Sequence, residues 1–234
     1  MRVRYRFVIV TLLGLSGCGS EKTTEPPVDE NRADLLPDRD NTLYEDPLGQ
    51  LSNGAGEFLF AGVTNQPLIR RATLRFNVAG GQIPAGATID SVGLTLHLSR
   101  TNSGGATVSL HRLTAAWGEG VSNAAAAEGQ GGPAAPGDAT WTYAFFNTSQ
   151  WTSPGGDFVA TPSASITVLT AGFYTWRGAP AMVADVRDWL ANPSENFGWI
   201  LIGDESGPIT TKRFDSRENA VADNRPRLTV FYTP

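Results

Sequence analysis

From Leu36 onward, apolar and polar residues alternate with a period of two in short runs, which restricts the chain to half-buried strands rather than helices. The clearest runs are 57–60, 71–78, 91–98 and 106–110, with 199–202 and 227–232 near the end. Asn53-Gly54, Gly80-Gly81, Ile83-Pro84-Ala85-Gly86 and Gly104-Gly105 punctuate them, supplying the positive or fixed φ that tight reversals need. Strands closed by such turns predict an all-β domain over 36–234, a β-sandwich of jelly-roll type. With one cysteine in 234 residues no internal disulfide can form, so packing must hold the fold.

One stretch breaks the rule. Met182, Val183, Val186, Trp189 and Leu190 form a single helical stripe over about 180–191, with Pro180 suited to the first turn and Asn192-Pro193 ending the helix. The stripe is expected to close one end of the sandwich. Asp185 and Asp188 lie off it and are expected to be solvated.

The first residues read differently. Arg2, Arg4 and Arg6 precede an apolar run from Phe7 to Leu15 that ends in Leu15-Ser16-Gly17-Cys18. That pattern is a signal peptide, 1–17, closing in a lipobox, because the run is too short to span a bilayer and small residues precede the cut. Cys18 is therefore the expected lipidation site of an exported bacterial lipoprotein, held to the membrane through its lipid. Residues 18–35, rich in Glu, Thr, Pro and Asp, read as a flexible tether. Pro26-Pro27 argue against a strand there. Gly19 after the cysteine is similar to the pattern sent on to the outer membrane of Gram-negative cells, which places the domain in the cell envelope, outside the cytoplasm. Cleavage removes three arginines and leaves 15 Lys+Arg against 23 Asp+Glu. Such a surface excludes nucleic acid as a partner, along with broad contact to acidic polymers.

Between residues 118 and 139 lies the longest stretch without periodicity, followed by Trp141, Tyr143, Phe145, Phe146 and Trp151 and then the flexible run 152–158. Two readings stand. Trp141 and Trp151 are a sugar-stacking platform, or the rings pack into the interior.

Several segments together resemble the DNRLRE domain: Arg71-Ala72-Thr73-Leu74-Arg75-Phe76, Ile83-Pro84-Ala85-Gly86-Ala87-Thr88-Ile89, Thr140-Trp141, Asn196-Phe197-Gly198-Trp199, Phe214-Asp215-Ser216-Arg217-Glu218 and Arg225-Pro226-Arg227-Leu228. The resemblance covers nearly the whole chain after the tether. It implies a jelly-roll module similar to carbohydrate-binding modules, of the kind attached to polysaccharide-degrading enzymes, some of them linked to alginate binding.

Lys212, Arg213, Arg217, Arg225 and Arg227 make the best basic cluster. Arg213, Arg217 and Glu218 are accordingly candidate ligand-binding residues, planar guanidinium groups being suited to a sugar or its carboxylate. The alternative has Arg217 pairing with Asp215 or Glu218, or capping buried carbonyls beneath the last strand. Asp38, Asp40, Asn41 and Asp46 cluster before the first long strands and offer oxygen ligands, so a structural calcium ion at Asp38 and Asp40 is one expectation. A turn-forming Asp/Asn cluster is the other.

Catalysis has little support. Neither His97 nor His111 sits in a zinc or nucleophile pattern, and both follow the outward parity of their strands. Asp204 and Glu205 would point to opposite faces of a strand. The sequence leaves two function classes, a lipid-anchored glycan-binding module without catalytic activity and a structural or adhesive envelope domain without a ligand.

Overall fold

The alternation becomes fifteen strands and one α-helix within residues 31–234, which are the residues described by the computed structural model. In chain order the strands are β1 (Asn31–Leu35), β2 (Arg39–Tyr44), β3 (Leu51–Ser52), β4 (Phe58–Val63), β5 (Ile69–Arg75), β6 (Thr88–Thr101), β7 (Ala106–Arg112) and β8 (Gly132–Pro133). There follow β9 (Tyr143–Phe145), β10 (Ser149–Gln150), β11 (Ala164–Val168), β12 (Gly172–Arg177), the helix α1 (Pro180–Ala191), β13 (Trp199–Ile202), β14 (Lys212–Asp215) and β15 (Arg227–Thr233).

One curled antiparallel sheet carries most of them in the order β1-β15-β6-β14-β4-β5-β13-β7-β11, with β12 also on β6 and β2 also on β5. It turns over at β4, which pairs with β14 from Phe58 to Ala61 but meets β5 only at Gly62 and Val63. The two leaves so formed face each other. Leu94, Leu96, Leu98, Phe214, Leu228 and Val230 of the first leaf share one core with Ala72, Leu74, Val108, Leu110, Trp199 and Leu201 of the second. This is the expected all-β sandwich with one helix.

The helix spans the predicted residues. Met182, Val186 and Trp189 are buried, Val183 and Leu190 pack at the margin of the core, and α1 lies against β6. Asp185, expected in solvent, is buried: its carboxylate accepts from Ser163 Oγ at 2.6 Å and from the Trp199 indole at 2.8 Å. The stripe arithmetic misses it because both partners come from other elements. Asp188 behaves as expected, half-exposed and paired with Arg112 at 2.9 Å.

The tether ends earlier than residue 35. Residues 31–35 form β1, an edge strand in register with β15 from Asn31↔Tyr232 to Leu35↔Leu228, and Ala33 and Leu35 enter the core. Alternation of these two with Arg32 and Asp34 outweighs the polar composition. Cys18, the signal peptide 1–17 and the tether up to residue 30 lie outside the described residues. Among the described residues no helix is long and apolar enough to cross a membrane.

A second core covers the outer face of the second leaf. Leu43, Leu113 and Ile200 project away from the sandwich interior and meet Trp117, Ala139, Ala144 and Trp151, with Trp141, Phe145, Phe158 and Phe197 at its edge. The apparently patternless stretch after residue 113 is therefore a lid on β13, which explains why Trp199–Ile202 is apolar on both faces. Asn41, buried in β2, fastens this lid. Its amide donates to Ser52 Oγ, Glu119 O and Ala139 O, while its carbonyl oxygen accepts from the backbone N–H groups of Thr42 and Asn53.

Candidate functional site

The first leaf carries a cleft of about 940 Å³, and simple strand parity builds it. In β4, Leu59 and Ala61 point inward, so Phe58 and Phe60 point out; in β14, Phe214 points inward and Arg213 out. Register places Arg213 opposite Phe60 on one side and opposite Arg100 of β6 on the other. A register shift between Arg213 and Phe214 sets that last pairing, as bulges do when they re-aim a side chain. The Arg213 guanidinium lies 3.8 Å from the centre of the Phe58 ring, and its Nε donates to Ser99 Oγ at 3.1 Å.

Glu57, Glu128, Asn65, Asn102 and Asn123 complete the polar rim. Glu128 comes from the short 3₁₀ turn Ala125–Gln130, and its Oε2 accepts from Asn53 Nδ2 and from the Phe58 backbone N–H, each at 2.9 Å. Thr211 Oγ1, in the wall, is buried without a partner.

Charge distinguishes this cleft. Arg100 and Arg213 face each other across adjacent strands, an arrangement that like charges normally disfavour, and neither belongs to an ion pair among the described residues. Burial draws the Arg213 guanidinium below its ordinary value; Asp215 opposes this, and Arg100 reinforces it. A guanidinium nevertheless remains charged at any physiological pH.

The other expected site residues go elsewhere. Trp151 is buried in the second core with its indole donating to Thr140 O at 2.9 Å, so it offers no stacking face. Trp141 is half-buried under Arg71, whose guanidinium sits 5.1 Å from its ring. The interior reading of the aromatics holds for Trp151, with Trp141 and Phe145 packed at the edge, because the lid needs a core of its own. The basic cluster disperses as well. Lys212 is fully buried and donates to Thr101 Oγ1, Ser103 Oγ and Gly104 O, Arg225 bonds Asn219 O, and Arg227 stands exposed on β15.

Arg217 and Glu218 form a strut beside the cleft rather than its lining. Arg217 bonds Glu119 through both Nε at 2.6 Å and Nη2 at 3.0 Å, lies 2.8 Å from Glu218 Oε1, and donates its backbone N–H to Asp40. Asp40, Glu119 and Glu218 bring their oxygens within 4.8 Å of one another, the one arrangement among the described residues with the spacing to hold a metal ion. Asp38 takes no part; it pairs with Arg75 on β5, which corrects the expectation that it would act beside Asp40. The cluster already holds a cation in Arg217.

Burial, followed by repulsion from Glu218, holds the Asp40 carboxyl well above the usual range. Glu218 is raised too, by burial first, with Arg217 opposing and Glu119 adding to the rise. Acids raised in the folded state stabilise it fully below their unfolded values near about pH 4, and that contribution is lost as pH rises through the folded values. Asp40→Asn is therefore expected to raise the melting temperature at neutral pH and to flatten the fall of wild-type stability between mildly acidic and neutral pH. Thermal melts across that window check this. A variant equally pH-dependent shows that the raised Asp40 carboxyl is not the source of that fall, and a calcium-dependent rise in wild-type Tm that Asp40→Asn abolishes would give the cluster to a metal.

His97 is not a bare surface residue. Its Nδ1 lies 2.6 Å from Asp215 Oδ2 and its ring stands 4.7 Å from that of Phe173. His111 faces outward from the sandwich as its parity demands, but the lid buries it against Val159 O and Phe158. Asp204 and Glu205 fall in a loop, and Glu205 is held by Arg71.

The cleft residues that sequence reading passed over are Phe58, Phe60, Arg100 and Glu128. Phe58 and Phe60 flanking an inward Leu59 carried a legible signal, since large rings on the outward parity need a reason to be there. Arg100 and Glu128 carried none, because strand register and lid placement bring them in. The chain matches no protein-family model, and no curated protein matches it.

Proposed function

We propose that the chain is a lipid-anchored, non-catalytic module of the cell envelope that binds an acidic polysaccharide in the cleft of Phe58, Phe60, Arg100 and Arg213. The unpaired guanidinium pair carries the reading. Each group can take a carboxylate or sulfate oxygen through parallel N–H donors, and a bound anion would relieve their mutual repulsion. The cleft volume lies in the range of ligand sites, and its amides and carboxylates suit sugar hydroxyls. A domain without a ligand would bear the cost of that repulsion for no gain.

Geometry favours outward presentation. Asn31 stands opposite Tyr232, which pairs with Ile89 at the start of β6, whereas Arg213 pairs with Arg100 near its end. Along a strand that separation is on the order of 35 Å. A chain anchored through Cys18 would enter at one end of the sandwich and carry its cleft toward the other.

The experiment is a calorimetric titration of the full chain, purified in detergent, with polygalacturonate, dextran sulfate and neutral dextran. Binding to one or both polyanions that weakens as salt is raised supports the proposal, and the preferred polyanion tells carboxylate from sulfate. Binding to neither polyanion, or polyanion binding that added salt leaves unchanged, rules it out.

A further inference from the structure

A second groove, about 560 Å³, opens on the opposite leaf, where the segment 152–158 lies over β5. We infer that it is a separate site for an uncharged sugar, so that one module can hold two glycan chains on opposite faces. Its walls are Arg71, Thr114, Thr152, Ser153, Asp157 and Phe158. Charge sets the class of ligand. The Arg71 guanidinium is spent within the protein, with Nε and Nη2 each 2.8 Å from Glu205 and Nη1 donating to Gly155 O at 2.9 Å. Unlike Arg100 and Arg213, it has an ion-pair partner and makes no demand for an anion.

The remaining groups are hydroxyls, one carboxylate and one ring. Asp157 is held by the backbone N–H groups of Thr152 at 2.8 Å and Ser153 at 3.1 Å, so its oxygens are fixed in place with lone pairs left to accept sugar hydroxyls. Thr114, Thr152 and Ser153 are exposed, and among the described residues no side-chain hydrogen bond occupies their hydroxyls. Phe158 is half-buried, fixed by the edge of His111 at 5.3 Å and by Arg71 at 5.3 Å from its centre, and supplies an apolar wall for the C–H face of a pyranose. A rigid ring beside fixed acceptors and free hydroxyls suits a neutral polyol, and with Arg71 tied to Glu205 the groove keeps no free guanidinium for a polyanion.

The test titrates the full chain with cellotriose, xylotriose and mannotriose, then repeats the best of them with Ser153→Trp and with Arg213→Gln. Ser153 is exposed, so the added indole fills the groove without entering the core. At least one trisaccharide is expected to bind, with affinity falling by about tenfold or more in Ser153→Trp and holding in Arg213→Gln. Absence of binding by all three overturns the inference, as does binding that survives Ser153→Trp or is lost in Arg213→Gln. Because polyanion binding is read separately at Arg213, failure here leaves the acidic-polysaccharide reading intact, and the reverse also holds.

Discussion

Asp185→Ala is expected to destabilise the fold by about 3 kcal/mol, because it removes a charged acceptor from two buried donors at once. Ser163 Oγ and Trp199 Nε1 bond the same carboxylate oxygen, and Trp199 is wholly enclosed, with Trp189 4.5 Å away. Neither donor can turn to water. For a chain of this size the loss corresponds to a fall of about 10 °C in Tm, measured by calorimetry. Asp185→Asn keeps an acceptor oxygen and should lose about half as much. Arg112 also approaches Asp185, at 3.5 Å, but retains Asp188, so its charge is not stranded. An Asp185→Ala protein that melts with the wild type would show that the helix is held by its apolar stripe alone.

The second large effect concerns binding. Arg100→Gln with Arg213→Gln is expected to weaken polyanion affinity by about a hundredfold, roughly tenfold for each guanidinium lost. Stability should move the other way. The two charges repel across the strand pair and neither has an ion-pair partner among the described residues, so the double variant should melt at the wild-type temperature or slightly above. Loss of binding together with unchanged or improved stability marks residues kept for a ligand. A double variant that loses both would make the pair structural, while one that keeps its affinity would move the ligand elsewhere.

Much of the fold was legible because it depends on local alternation. The bounds of α1 and β13 match the sequence reading, and β6, β7 and β15 differ from it only at their ends. β1 was missed because its two buried side chains are outnumbered by polar neighbours, and only pairing with β15 reveals the pattern. Asp185 was misplaced for a related reason: periodicity says which helical face is apolar, but not that an indole and a hydroxyl from other elements wait above an acid at its edge.

The site was less legible than the fold. Of the residues nominated from sequence, Arg213 lines the cleft, while Trp151, Arg217 and Glu218 serve as joints. Gly198 and Ser216 behave the same way. Gly198, at φ +81, packs so closely on Leu74 O that a Cβ would lie 2.0 Å from it, and Ser216 donates to Gly56 O at 2.7 Å. Arg217 ties Asp40, Glu119 and Glu218 together. Such residues mark where the chain must lock. The cleft is instead assembled from β4, β6, β14 and a turn of the lid, whose proximity no local pattern encodes.

Backbone NMR shifts of the full chain, followed while trigalacturonate is added, test the central assignment most directly. Perturbations are expected to concentrate at Phe58–Phe60, Arg100 and Thr211–Arg213, with the far leaf unmoved. Perturbations centred on 152–158, or scattered without a centre while binding saturates, would contradict it.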